Sequence, residues 1–222
     1  MLRQSFERDL QRLQDQVSVL GSMVQKALLD SVEYLEARDL EASRRLIDDD
    51  RYINEKRFEI EADILAVIAT QQPMARDLRI LAAMLEIITE LERIGDYGKG
   101  IAKINLMIGE NELLKPLVDI PRMADKALDM LRRALDAFMR RDAEAAKAIP
   151  KEDDEVDALY NQVNRELMTF IISDPRTIEQ ANYLLWAAHN LERAADRVTN
   201  ICERVVFMVT GTMAELDTHF DN

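Results

Sequence analysis

The second half of this 222-residue chain repeats the first, and that repeat limits what the chain can fold into. At an offset of 100 residues, Leu85 matches Leu185 and Leu91-Glu92-Arg93 matches Leu191-Glu192-Arg193. Asp96 then matches Asp196, and Ile101 matches Ile201. Earlier in each copy the offset is 103: Leu28 matches Leu131, Val32 Leu135, Asp39 Asp142, Asp50 Asp153 and Ile53 Val156. The change of offset places a longer turn around 71–74 than around 173–176. A unit of about 100 residues is far longer than the 20–50 of a solenoid repeat, so each copy needs an apolar interior of its own.

Six long segments carry apolar residues three and four apart, the period of a helix with one buried face. The first, about 3–37, presents Phe6, Leu10, Leu13, Val17, Leu20, Val24, Leu28, Val32 and Leu35, a coiled-coil-like seam. Asp39 caps a second segment that runs to about 69 and is ended by Gln71-Gln72-Pro73, because a residue preceding proline is pushed out of helical geometry. The third covers about 75–107, with Gly98 and Gly100 inside it as points where a kink can form. A connector from Gly109 to Pro116 separates it from segments at about 121–140, 143–172 and 177–209. The predicted fold is all-α: two tandem three-helix bundles, six long helices in all, related by the internal repeat. The bundles span 1–110 and 117–211, followed by a polar tail over 212–222 that contains His219.

Composition removes several classes of function. The 42 acids outnumber the 29 Lys and Arg, a formal charge of −13, which opposes the phosphate neutralisation that nucleic-acid binding requires. One Cys and two His exclude a disulfide framework and the Cys/His zinc modules. The first 20 residues are charged throughout and resemble no signal peptide, and no apolar run approaches the 18 or so residues of a membrane span. These features predict a cytoplasmic protein that meets a membrane only through protein partners.

The chemistry-bearing feature is a repeated Glu-x-x-x-Asp: Glu92/Asp96 in the third segment and Glu192/Asp196 in the sixth. Four-residue spacing puts both carboxylates on one helix face, one turn apart, where like charges repel unless something positive lies between them. The preceding helix of each copy carries a similarly spaced pair, Asp50/Asn54 and Asp153/Asp157. All four pairs flank the apolar stripe of their own helix, so each bundle offers oxygen ligands from two adjacent helices. Glu203 falls on the same flank of the sixth segment, and Asp77 supplies negative charge to the first turn of the third. Such oxygen donors suit hard or borderline cations such as Mg, Mn, Ca or Fe, with Zn a further candidate. A ferritin-like di-iron enzyme would need Glu-x-x-His on two helices. His189 precedes Glu192 in the wrong order and has no counterpart in the first copy. Cys202 lies on the inner arc of the sixth segment and reads as core.

The stretch Gln72-Pro73-Met74-Ala75-Arg76-Asp77-Leu78-Arg79 leads into Leu91-Glu92-Arg93-Ile94-Gly95-Asp96. About 100 residues later comes Leu191-Glu192-Arg193-Ala194-Ala195-Asp196, followed by Arg197-Val198-Thr199-Asn200-Ile201. Over essentially its whole length the chain resembles the PhoU family of bacterial phosphate-transport accessory and regulatory proteins. The resemblance implies a homodimer of paired three-helix bundles, not an enzyme. It implies negative regulation of the phosphate regulon, and so of its transcription, exerted with a phosphate ABC transporter and its sensor histidine kinase. It also implies multinuclear metal clusters at Glu92/Asp96, Glu192/Asp196 and Asp153/Asp157, with Asp50/Asn54 as the fourth position. Asn54 departs from the all-acid pattern by offering a neutral amide. The competing reading is a carboxylate-based metal-dependent enzyme on the same bundle.

Overall fold

The computed structural model describes residues 2–213, 215 and 216. Among them the regular elements are all helical: α1 (Leu2–Ala37), α2 (Leu40–Gln71), α3 (Arg76–Ile108), α4 (Asp119–Arg140), α5 (Ala143–Ala148), α6 (Asp153–Ser173) and α7 (Ile178–Thr210). α1 alone is 36 residues, about 54 Å at 1.5 Å per residue. Helices of this length depend on their buried faces for stability more than on intrinsic propensity. The α1 seam from Phe6 to Leu35 is buried at every predicted position. The inward stripes of α2 (Ile53, Ile60, Ile64, Val67) and α7 (Leu184, Ala187, Leu191, Ala194, Val198, Ile201, Val205) are buried as well.

Local chemistry explains the helix ends. Both short turns of the repeat place an arginine in the left-handed region, Arg38 at φ 58° and Arg141 at φ 56°, immediately before an aspartate cap. The Asp39 carboxylate accepts the Ala42 N–H at 2.8 Å, and that of Asp142 accepts the Ala145 N–H at 3.0 Å. Gly109 and Gly211 close α3 and α7 with φ of 66° and 80°, a conformation that costs a glycine nothing. α3 runs unbroken through Gly98 and Gly100. The fifth predicted segment does break. Pro150 starts a 3-10 turn (Pro150–Glu152) between α5 and α6, because proline supplies no N–H for the helical ladder and its ring crowds the preceding turn.

α1, α2 and α3 form one bundle, and α4, α6 and α7, with α5 at one end, form the second. The two are joined along α3 and α7, which pack antiparallel. Arg79 lies against Gly211, Glu90 faces Arg197 and Asn200, and Gly100 approaches Asn190. A side chain at Gly100 would meet the Asn190 amide at 2.9 Å and oblige that amide to shift. The Arg197 guanidinium reaches Glu90 at 3.5 Å and the Tyr97 hydroxyl at 3.3 Å, while Asn200 donates to Glu90 at 3.2 Å. Buried residues of both bundles merge into one apolar cluster. The relative placement of the halves therefore rests on packed side chains and not on a linker. No helix among the described residues is long and apolar enough to cross a membrane.

Candidate functional site

Antiparallel packing sets Glu92/Asp96 and Glu192/Asp196 near the middle of the α3–α7 pair, each beside the helix that precedes it in its own bundle. In the first bundle Asp50 is 95% buried, with 5% exposure, at the α2–α3 seam. A carboxylate there needs compensation, since removing it from water costs several kcal/mol, on the order of 3–5 when its partner is lost. Lys99, one turn beyond Asp96, supplies that compensation. Its Nζ donates to Asp50 Oδ2 at 2.6 Å and stands 3.7 Å from Asp96 Oδ1. Asn54 donates its amide Nδ2 to the same Asp50 oxygen at 3.0 Å. Hydrogen bonding to Asp50 holds the Lys99 ammonium above its ordinary pKa against the opposing effect of burial. Burial raises the Glu92 carboxyl, the Asp96 and Asp50 charges add to the rise, and Arg57 and Arg93 oppose it.

The second bundle repeats the carboxylates without repeating the lysine. Asp153, the first residue of α6, is buried at 7% exposure, with Asp157 one turn on. Across the seam on α7, Arg193 pairs with Asp196 at 3.0 Å. His189 Nδ1 lies 3.1 Å from Glu192 Oε2. The pair lacks hydrogen-bond geometry, and that buried carboxylate oxygen has no hydrogen-bond partner. Burial raises the Glu192 carboxyl, Asp196 and then Asp157 raise it further, and His189 and Arg193 pull it down. The repeat position of Lys99 is Thr199, 6% exposed, whose hydroxyl also finds no partner. It projects from the same face of α7 as Glu192 and Asp196.

The structure thus joins Asp50, Asn54 and Asp96 through Lys99, with Glu92 in the field of Asp96 and Asp50, and brings Asp157 into the field of Glu192, with Asp153 one turn before it. Two other candidate residues stand apart. Asp77 lies in the first turn of α3, 15 residues and about 22 Å along the helix from Glu92. Glu203 turns to the C-terminal segment, where one carboxylate oxygen accepts the Leu216 N–H at 2.9 Å and the other lies 3.6 Å from Arg204. His219 lies outside the described residues. Cys202 is core, with burial pushing its thiol up to about 12. The residue that sequence reasoning passed over is Lys99. Its signal was present in the repeat itself, as a Lys–Thr mismatch at matched positions three residues beyond each aspartate.

The donor chemistry of the second bundle fits a hard cation: several carboxylates and a threonine hydroxyl, with that hydroxyl and one Glu192 oxygen buried and forming no hydrogen bond. As the side chains stand, no three His, Cys, Asp or Glu among the described residues are gathered to hold a metal ion, so ligation there requires rotamer changes. The first bundle fits poorly, because an ammonium already lies between its carboxylates.

Comparison with known proteins agrees with the repeat and the fold. The PhoU domain model matches twice, over residues 17–104 and 120–205, one match in each bundle. A phosphate-specific transport system accessory protein PhoU homolog from Rhizobium meliloti is 34% identical over 212 residues, covering 95% of this chain and 90% of the relative. The Escherichia coli phosphate-specific transport system accessory protein PhoU is 34% identical over 206 residues, covering 93% of this chain and 86% of its own length. The crystal structure of PhoU from Pseudomonas aeruginosa superimposes with a TM-score of 0.88 at 31% identity, covering 93% of this chain and all of that one. The phosphate transport system regulatory protein PhoU from Streptococcus pneumoniae gives 0.87 at 30% identity over 94% of this chain and 99% of its own. With both copies of the repeat matched and nearly every residue aligned, the chain belongs to the PhoU family.

Proposed function

We propose that this protein is a cytoplasmic accessory subunit of phosphate uptake that holds phosphate-starvation signalling off when phosphate is plentiful. One observation carries the reading. The match to phosphate-transport accessory proteins runs through both bundles and over 93% of the chain. The physical properties suit an adaptor. Two bundles sharing one core form a stiff platform, and a net charge of −13 favours basic faces on its partners. Those partners are the phosphate ABC transporter and a sensor histidine kinase, with the protein acting as a homodimer. Steering by charge speeds encounter and makes it salt-sensitive, which suits an interaction that must form and release.

The second-bundle carboxylates belong to this reading as a cation site. Asp157 on α6 and Glu192 and Asp196 on α7 would hold the ion, with Asp153 and Thr199 beside them. A bound divalent cation supplies charge neutralisation and a cross-link between helices. Arg193 meanwhile keeps Asp196 on the seam, and burial of Glu192 and Thr199 keeps unpartnered oxygen atoms available to the site.

Deleting the gene in the host tests the regulatory role. Phosphate-starvation genes are expected to switch on in phosphate-rich medium, with repression restored by the wild-type gene. Unchanged expression refutes the role. Elemental analysis of the purified protein after zinc or manganese loading tests the cation site separately. Metal is expected in wild type and lost in Glu192→Gln/Asp196→Asn.

A further inference from the structure

We infer that Lys99 is a built-in cation of the first bundle, so that this chain takes metal in its second bundle alone despite the repeat. The inference rests on the cation reading of the second bundle and concerns a different set of residues. Matched positions carry the argument. Asp50, Glu92 and Asp96 correspond to Asp153, Glu192 and Asp196, yet Asn54 stands for Asp157 and Lys99 for Thr199. Both changes remove the need for an external cation. One replaces a carboxylate with a neutral amide, and the other adds an ammonium.

The geometry shows what the two changes do together. The Lys99 Nζ is 2.6 Å from Asp50 Oδ2 and 3.7 Å from Asp96 Oδ1, so it bridges α2 to α3 at the seam where a metal would bridge them. Asn54 donates its amide Nδ2 to Asp50, and the oxygen it could still offer a cation is a neutral carbonyl where the second bundle has the Asp157 carboxylate. A metal ion entering here must displace an ammonium that is already partly desolvated and hydrogen-bonded. Its gain would be only the difference between two electrostatic partners. In the second bundle no side chain reaches across from position 199: the threonine is short, buried and unpartnered.

Zinc binding by equilibrium dialysis on the full-length protein tests this. The second bundle is silenced with Glu192→Gln/Asp196→Asn, and that protein is expected to lose all zinc binding. Adding Lys99→Thr and Asn54→Asp, which copies the second bundle into the first, is expected to restore it, with affinity rising at least tenfold over the silenced protein. Zinc retained by the silenced protein and abolished by Asp50→Asn overturns the inference, as does a four-residue variant that gains no zinc. If wild type binds no zinc but the Lys99→Thr/Asn54→Asp protein does, the second-bundle reading fails and with it the claim that metal is taken there, while the role of Lys99 as the first bundle's own cation stands. A wild-type measurement covers failure of the variants to fold. The side-chain methylene NMR signal of Lys99 is expected to stay in place as zinc is added, and its displacement refutes the built-in cation.

Discussion

Two carboxylate seams built on one backbone plan reach charge balance by different means. In the first bundle an internal ammonium crosses from α3 to a buried aspartate on α2. In the second, a threonine stands at the matched position, and a buried glutamate oxygen and the threonine hydroxyl are left without hydrogen bonds. Internal duplication copies a scaffold and its buried stripes, but it does not oblige the copies to keep the same electrostatics. The packing differs in the same spirit. Gly98 lets α1 approach α3 until a side chain there would touch the Ala27 backbone at 3.2 Å, whereas Val198 sits buried at the matched place. α2 is continuous where its counterpart is broken at Pro150.

The largest effect should come from forcing the first bundle to adopt the second bundle's residue at its tightest contact. Gly98→Val pushes a branched side chain into the backbone of α1 and is expected to cost about 3 kcal/mol in urea unfolding, as overpacking does. A loss below about 1 kcal/mol would mean the helices separate easily and the close approach is incidental.

Next in size is Lys99→Met, which leaves Asp50 buried without its ammonium. The expected loss is about 2 kcal/mol, less than for a fully buried pair because Lys99 is 26% exposed. Asp50→Asn in the same protein should return most of it, a coupling that a double-mutant cycle reads directly.

Pro150→Ala probes the helix break. Releasing proline's constraint on the unfolded chain should cost about 0.5–1 kcal/mol, and α5 and α6 should fuse, adding helical signal in circular dichroism. An unchanged helical signal would show that packing alone holds the break.

The smallest effect is on pH dependence. Burial, then Asp196 and Asp157, raise the Glu192 carboxyl, so the folded metal-free protein holds that proton more tightly than the unfolded chain does. Stability from this group is therefore present at acid pH and is lost as pH climbs from the ordinary carboxylate range through the raised value. Glu192→Gln should accordingly be about 0.5 kcal/mol more stable than wild type at pH 7 without metal, on the scale of one relieved like-charge pair. The two should converge near pH 4, and excess zinc should reverse their order at pH 7. A difference independent of pH would assign the effect to packing.

Much of the architecture was legible before any coordinates. The α1 seam, the Asp39 cap and the ending of α2 before Pro73 follow from period and local sterics, which act within a few residues. The break at Pro150 was legible too, since proline inside a helical pattern interrupts it, but strong periodicity on both sides concealed it. The site was legible in part. Glu92/Asp96 and Glu192/Asp196 declare themselves by spacing, and Asp157 does meet the field of Glu192 across the seam. Glu203 does not join them, because one helical flank leads to different neighbours at different heights, and its own neighbour is the C-terminal segment.

The residue order alone settled the helical class, the duplication, the apolar stripes and the spacing of the acids, all of which depend on neighbours three or four positions apart. Tertiary structure decided that α3 and α7 lie antiparallel with both acid pairs near their middle, and that Lys99 reaches Asp50 from 49 residues away. Whether a carboxylate is neutralised by its own chain or awaits an ion depends on which groups long-range packing brings within about 4 Å, a distance that local periodicity does not encode.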